Sequence, residues 1–171
     1  MIFDIMDSQG DGVIAQVAKM PFGWVRIFLW GEWVIRVELS DHGTGPVNEN
    51  LAQEIELIMR GKKTARAFKV ALPNFISKFA RRMLNRCARI GFGDLMSYSE
   101  LARTSGKPGA ARAVGQVMAR NRVPLFFPCH RIIASDGRLG GFTGGLEIKR
   151  RLLEFEGWRV KGSGFDARVV R

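Results

Sequence analysis

The stretch MSYSELARTSGKPGAARAVGQVMARN, residues 96–121, decides how the rest of the chain is read. Ser97 and Glu100 stand as S-x-x-E, a capping box in which each side chain satisfies a backbone amide at the other's position, so a helix starts at Tyr98 and ends by Gly106. Lys107-Pro108-Gly109 supplies a turn, and Ala110 to Arg120 carries a second helix. Two short helices joined by a tight glycine-containing turn fit an ordinary helical hairpin or a helix-turn-helix that lays its second helix on DNA. Just upstream, Ile76, Phe79, Ala80, Met83, Leu84 and Cys87 recur at three- and four-residue steps, with Lys78, Arg81, Arg82 and Arg86 on the other face. That amphipathic helix puts Cys87 on the apolar stripe, where it reads as a small packed hydrophobe.

Toward the N-terminus the texture changes. GVIAQVAKM (12–20), WVRIFLW (24–30) and EWVIRVELS (32–40) are rich in β-branched and aromatic residues and are punctuated by Pro21-Phe22-Gly23 and Gly31-Glu32, the pattern of a β-meander. Asn48 to Met59 fits a short amphipathic helix with Gly61 just past its end, ARAFKVAL (65–72) returns to strand character, and Pro73-Asn74 marks a boundary. The expectation is an α+β protein in three parts: an N-terminal α/β domain over 1–73, a mainly helical domain over 74–160, and a basic tail over 161–171.

Composition narrows the function. Hydrophobic residues are 46% and charged residues 25%, a globular balance. MIFDIMDSQGDG at the start carries three aspartates and no long apolar block, unlike a secretory signal. No apolar run approaches the roughly 18 residues a membrane helix needs. Two cysteines make no disulfide framework, and a reducing cytoplasm is the expected compartment. Of 27 basic and 16 acidic residues, positions 1–50 hold three and seven, a net of −4, leaving 24 and nine, a net of +15, for positions 51–171. An asymmetry this large points to a polyanion partner for the C-terminal part.

The chemistry centres on PLFFPCHRIIASDG, residues 124–137. Cys129 stands beside His130 and is a nucleophile, a metal ligand or a buried residue. Zinc ligands come in pairs a few residues apart, whereas His42, Cys87, Cys129 and His130 are scattered or adjacent, so no metal is expected. As a nucleophile the thiol needs a base and a group to orient it. His130 is the neighbouring imidazole, working through a bridging water because direct contact between adjacent residues is awkward. Glu156, after an amphipathic helix, is the candidate to hold the imidazole in one tautomer. The glycine-rich GRLGGFTGG (137–145) lacks the Gly-Lys-Ser/Thr of a phosphate loop, so no nucleotide cofactor is expected.

RAVGQVMARNRVPLFFPCHRII (112–133) followed by GRLGGFTGGLEIKRRLLEFEG (137–157) resembles the active-site half of the O6-alkylguanine-DNA alkyltransferases. Pro-Cys-His-Arg, the upstream Arg-Ala-Val-Gly, Asn121 eight residues before the cysteine, and the downstream Gly-Gly-Leu…Lys…Leu-Leu…Glu all match in order and spacing, over about half the chain from Phe79 to Gly157. The resemblance implies a ribonuclease H-like N-terminal domain and a winged helix-turn-helix in the C-terminal one. It implies double-stranded DNA containing O6-alkylguanine as partner, with O4-alkylthymine left open, and a monomer with no cofactor.

On the same resemblance the lesion is flipped out of the stack and its alkyl group passes irreversibly to Cys129, in a catalytic set of Cys129, His130, Glu156, Asn121 and Tyr98. Arg112 fills the vacated stack, Ala111, Ala113 and Gly115 let the helix enter the minor groove, and Arg122 adds a phosphate contact. Tyr98, Met118, Ile132, Phe142 and Thr143 form the pocket. Tyr98 turns the nucleotide outward and donates to guanine N3, the carbonyls of Cys129 and Ile132 accept from the exocyclic amine, and the Thr143 amide faces O6. The chain departs from the family pattern at Leu84, at Ile90–Gly93, at Arg122 (where proline is common) and at Phe142 (where tyrosine is frequent). A lesion sensor without repair activity and an unrelated cysteine hydrolase are the competing classes; sensors of this kind lack the reactive cysteine, which is present here.

Overall fold

The computed structural model describes residues 12–73 and 75–170; residues 1–11, Asn74 and Arg171 lie outside it, and with them part of the predicted N-terminal domain, one side of the Pro73-Asn74 boundary and the end of the tail. The three apolar stretches of the N-terminal half form β1 (Val13–Met20), β2 (Gly23–Trp30) and β3 (Trp33–Ser40), an antiparallel meander. Its first turn requires a glycine: Gly23 has φ 138°, and a Cβ there would sit 2.8 Å from the Ser40 carbonyl oxygen. Leu29 pairs with Val34 and Phe28 with Arg36, which leaves Ile35 as a bulge residue. The bulge lets Val34 and Ile35 both be buried, against strict alternation.

Helix α1 (Glu49–Met59) is capped by Asn48, whose side chain accepts from the Leu51 amide, and packs Leu51, Ile55 and Met59 beneath β1. The predicted strand over 65–72 shrinks to β4 (Lys69–Val70), which pairs parallel with Trp33 and Val34 for two residues.

Helix α2 (Lys78–Cys87) follows its Ser77 cap, and α3 (Tyr98–Thr104) begins on the predicted capping box, with both reciprocal hydrogen bonds present. After the turn, α4 (Ala111–Ala119) packs against α2 and α3, so the two-helix reading of residues 96–121 holds as geometry. The chain then makes one 3₁₀ turn, Cys129–Arg131, flanked by the short parallel pair β5 (Met96–Ser97) and β6 (Ile132–Ile133), and enters α5 (Leu146–Phe155).

The basic tail folds back as a hairpin, β7 (Arg159–Lys161) against β8 (Arg168–Val170). Alternation explains the fold: Val160 and Ala167 turn inward onto Leu139 and Leu153, while Lys161 and Arg168 turn outward. The larger buried cluster runs without a break from Ala18 on β1 to Leu152 on α5, so the two halves share one core.

Candidate active site

Asn121 follows α4 and is 4% exposed. Its side chain holds the turn that comes next: Oδ1 accepts from the Val123 amide at 3.1 Å, and Nδ2 donates to the Phe127 carbonyl at 2.8 Å. Within that turn Leu125 has φ 75°, a conformation that costs a side-chain-bearing residue on the order of 1 kcal/mol or more and that Asn121 pins in place. The same amide nitrogen lies 3.2 Å from Cys129 Sγ. Cys129, at the start of the 3₁₀ turn, is 4% exposed. Burial pushes its thiol up from the ordinary value, opposed by the Asn121 hydrogen bond and by the charge of Lys149. The resting sulfur is therefore a protected thiol, and ionising it calls for a base.

The next residue supplies an imidazole. His130 is fully buried, with Nε2 2.8 Å from Glu156 Oε1, while its Nδ1 makes no hydrogen bond to another protein group. Burial lowers the His130 pKa, against the pull of Glu156, and keeps the ring neutral and able to accept a proton. Glu156 caps the end of α5 and receives more than His130. The Arg131 guanidinium grips both its oxygens, through Nε at 3.0 Å and Nη2 at 2.7 Å, and the Gly93 amide donates to Oε2 at 3.0 Å. Burial alone would raise its pKa; the bonds from His130 and Arg131 outweigh that and hold it at about 2, a permanent carboxylate. Arg131 in turn donates to the carbonyls of Ile90 (2.6 Å) and Met59 (2.7 Å), so the end of α1 in the N-terminal half helps hold this cluster.

Sequence reasoning gave Arg131 no role of its own. It also counted Lys149 only as a motif match, without a role; the residue sits on the buried face of α5 among Ile148, Leu152 and Leu153 and is 0% exposed. Its ammonium donates to the carbonyls of Ile132 (2.6 Å) and Leu139, and burial drives its pKa down to about 8. A lysine at a core position of an amphipathic helix was the signal available in the sequence.

An open cavity of about 580 Å³ is walled by Tyr98, Arg112, Gly115, Ala134, Phe142 and Thr143, with Ala111 also on its rim; Cys129 and His130 do not line it, and Tyr98 is the wall residue whose hydroxyl feels the Cys129 sulfur. Tyr98 opens α3 and its hydroxyl donates to the Gly141 carbonyl at 3.3 Å. Its ring lies so close to Gly140 (φ 67°) that a Cβ there would be 2.9 Å from the ring edge. Burial, with Cys129 adding, pushes the Tyr98 pKa up to about 12, so the phenol stays a donor at neutral pH. Thr143 Oγ1 donates to the Ala119 carbonyl at 3.0 Å, fixing the glycine loop to the end of α4.

Arg112 and Arg122 are exposed, and Ala113 is half-buried on α4. The Arg122 carbonyl accepts from Val37 of β3 at 2.8 Å. Met118 (4% exposed) and Ile132 (0%) are buried in the larger core cluster, as Cys129 is, and do not line the cavity. The Ile132 carbonyl accepts from the Lys149 ammonium and the Cys129 carbonyl from the Ile132 amide.

Comparison with known proteins agrees with this arrangement. A family model described as the DNA-binding domain of 6-O-methylguanine DNA methyltransferase matches residues 78–158. The chain is 32% identical over 154 residues to the methylated-DNA–protein-cysteine methyltransferase of Sulfolobus acidocaldarius, covering 87% of this chain and 96% of that one. It is 33% identical over 136 residues to the constitutive enzyme of the same name from Bacillus subtilis, covering 77% and 81%. Its fold matches the crystal structure of Mycobacterium tuberculosis OGT in complex with DNA with a TM-score of 0.68 at 27% identity, over 84% of this chain and 92% of that one. Sequence shared along nearly the whole length of a relative, and a buried cysteine followed by a histidine that is paired with a carboxylate, place this chain in the methylated-DNA–protein-cysteine methyltransferase family, the O6-alkylguanine-DNA alkyltransferases.

Proposed function

We propose that the protein repairs DNA by direct reversal, taking the alkyl group of O6-alkylguanine in duplex DNA onto Cys129 in a single turnover. The observation that carries the reading is the buried thiol of Cys129, held by Asn121 and followed by the His130–Glu156–Arg131 cluster, with its influence reaching Tyr98 on the wall of a cavity that also carries Arg112. A stacked base hides its O6 substituent, so the nucleotide must swing out before a thiol can reach it. Arg112, at the start of α4 and exposed, fills the space it leaves, while Ala111, Ala113 and Gly115 allow the helix into a narrow groove and Arg122 takes a phosphate.

His130 Nδ1, with no protein partner, receives the Cys129 proton through a water, and the fixed charges of Glu156 and Arg131 steady the imidazolium that results. Sulfur then bonds to the alkyl carbon as its bond to O6 breaks. Guanine leaves with the Tyr98 hydroxyl donating a hydrogen bond at N3 and the Thr143 amide facing O6, and the departing base is neutralised by a proton from water as His130 gives back the one it took from Cys129. The thioether has no ready reverse step, so each molecule acts once.

The finer architecture belongs to the same proposal: a ribonuclease H-like N-terminal domain over 1–73, a winged helix-turn-helix within 74–160, and a monomer working in the cytoplasm, where the thiol stays reduced. Mass spectrometry of the protein mixed with duplex DNA carrying one O6-methylguanine tests it. A gain of one methylene mapped to the Cys129 peptide, saturating at one per protein, is expected. Tight binding with no mass change would make the protein a lesion sensor and overturn the reading.

A further inference from the structure

The C-terminal hairpin carries a row of cations that its own fold does not neutralise. Lys161 on β7 and Arg168 on β8 are direct cross-strand partners, and Arg168 is in turn bridged to Arg138 on the loop alongside. Directly opposed residues in an antiparallel pair project to the same face, and like charges so placed destabilise the pair. Here the arrangement occurs twice in succession, and all three side chains are exposed. Among the described residues one carboxylate answers the row: Asp136, 2.7 Å from Arg138 Nε, with its backbone carbonyl taking Arg168 Nη1 at 3.3 Å.

The row is rigidly mounted. Leu139 and Val169 amides donate across to Ala167 and Gly137 carbonyls, and Arg150 of α5 reaches the carbonyls of Val160 and Gly162. It also continues the cavity wall: the Ala134 amide closes the loop onto the Arg138 carbonyl at 2.8 Å, and Ala134 and Ser135 line the cavity beside Arg112.

We propose that Lys161, Arg168 and Arg138 form a second DNA contact, binding the phosphates of the strand that flanks the flipped nucleotide. The proposal rests on the DNA reading above, and two of its three residues, Lys161 and Arg168, lie beyond the segment matched by the family model, which ends at residue 158. Phosphates are the occupant that turns repeated like-charge juxtaposition into a gain, because each cation neutralised releases a counterion.

The test measures duplex affinity of the whole protein against salt, alongside reaction with a free alkylated base such as O6-benzylguanine. The double variant Lys161→Gln/Arg168→Gln should bind duplex on the order of tenfold more weakly and lose about 2 from the slope of log K against log salt. It should react with the free base at the wild-type rate, and Lys161→Arg/Arg168→Lys should restore the slope. An unchanged slope in a double variant that still reacts with the free base overturns the hairpin contact and leaves the alkyl transfer standing. Should the double variant misfold, Lys161→Gln alone, at a solvent-facing position, must lose about 1 from the slope, and no change there overturns the proposal. A wild-type protein that binds no duplex and gains no mass removes the parent reading and this one together.

Discussion

Cys129 and Cys87 sit in the same buried cluster, yet only one has the surroundings of a nucleophile. Cys87 ends α2 at 0% exposure, and burial pushes its thiol well up, with the nearby Cys129 adding to the effect. Cys129 is almost as deeply buried, but an amide nitrogen points at its sulfur and a histidine held by a carboxylate follows it in the chain. Burial by itself makes a thiol inert. The charges of Arg131 and Lys149 favour the Cys87 anion too, but burial outweighs them; what Cys129 has besides is the Asn121 amide at its sulfur and the histidine that follows it in the chain.

Substitutions can break this contrast in graded steps. Cys129→Ser should abolish transfer while leaving duplex binding intact; methylation of the variant at any other residue, Cys87 included, would erase the distinction. Glu156→Gln should come next. It strands a buried guanidinium, so unfolding should ease by about 3 to 5 kcal/mol, with transfer slowed on the order of a hundredfold or more. Thermal melts of the wild type carry a pH signature that this variant lacks. The Glu156 pKa falls from an ordinary 4.5 to about 2 on folding, so its contribution is present above 4.5 and is lost as pH drops toward 2. The wild type should lose melting temperature across that window more steeply than the variant.

Asn121→Ala removes the grip on Phe127, Val123 and Sγ together and should cost roughly 1 to 3 kcal/mol of stability and at least tenfold in transfer rate. A wild-type rate would separate Asn121 from the chemistry. Arg112→Ala should weaken repair of duplex DNA by about ten- to a hundredfold, the worth of holding a base unstacked, with little change on a free alkylated base. Equal losses on both substrates would deny it the stack. The smallest effect belongs to Cys87→Ala: about 1 kcal/mol of stability from a cavity of one sulfur, and undiminished transfer stoichiometry.

Local signals carried much of this protein. The capping box at Ser97 and Glu100, the Asn48 cap and the three β-rich runs depend on neighbours a few residues apart, and each element forms where those neighbours placed it. The hairpin at the C-terminus was hidden because its strands are only three residues long and half of each faces water; its inward residues make sense only against Leu139 and Leu153 from elsewhere in the chain. How deeply Met118 and Ile132 are buried is likewise set by how α4 and the 3₁₀ turn pack, and not by their neighbours in the chain.

By itself the sequence determined the order of the elements, the charge imbalance between the halves and the identity of the residues with chemistry to offer, because spacing and side-chain type are properties of the chain. Only the tertiary structure decided which of those residues meet. Glu156 lies 25 positions from Arg131 and Met59 lies 72, and their hydrogen bonds exist because α5 and α1 are folded against the same turn. A buried charge is tolerated where distant partners surround it, and that surrounding is a fact of packing that no local pattern contains.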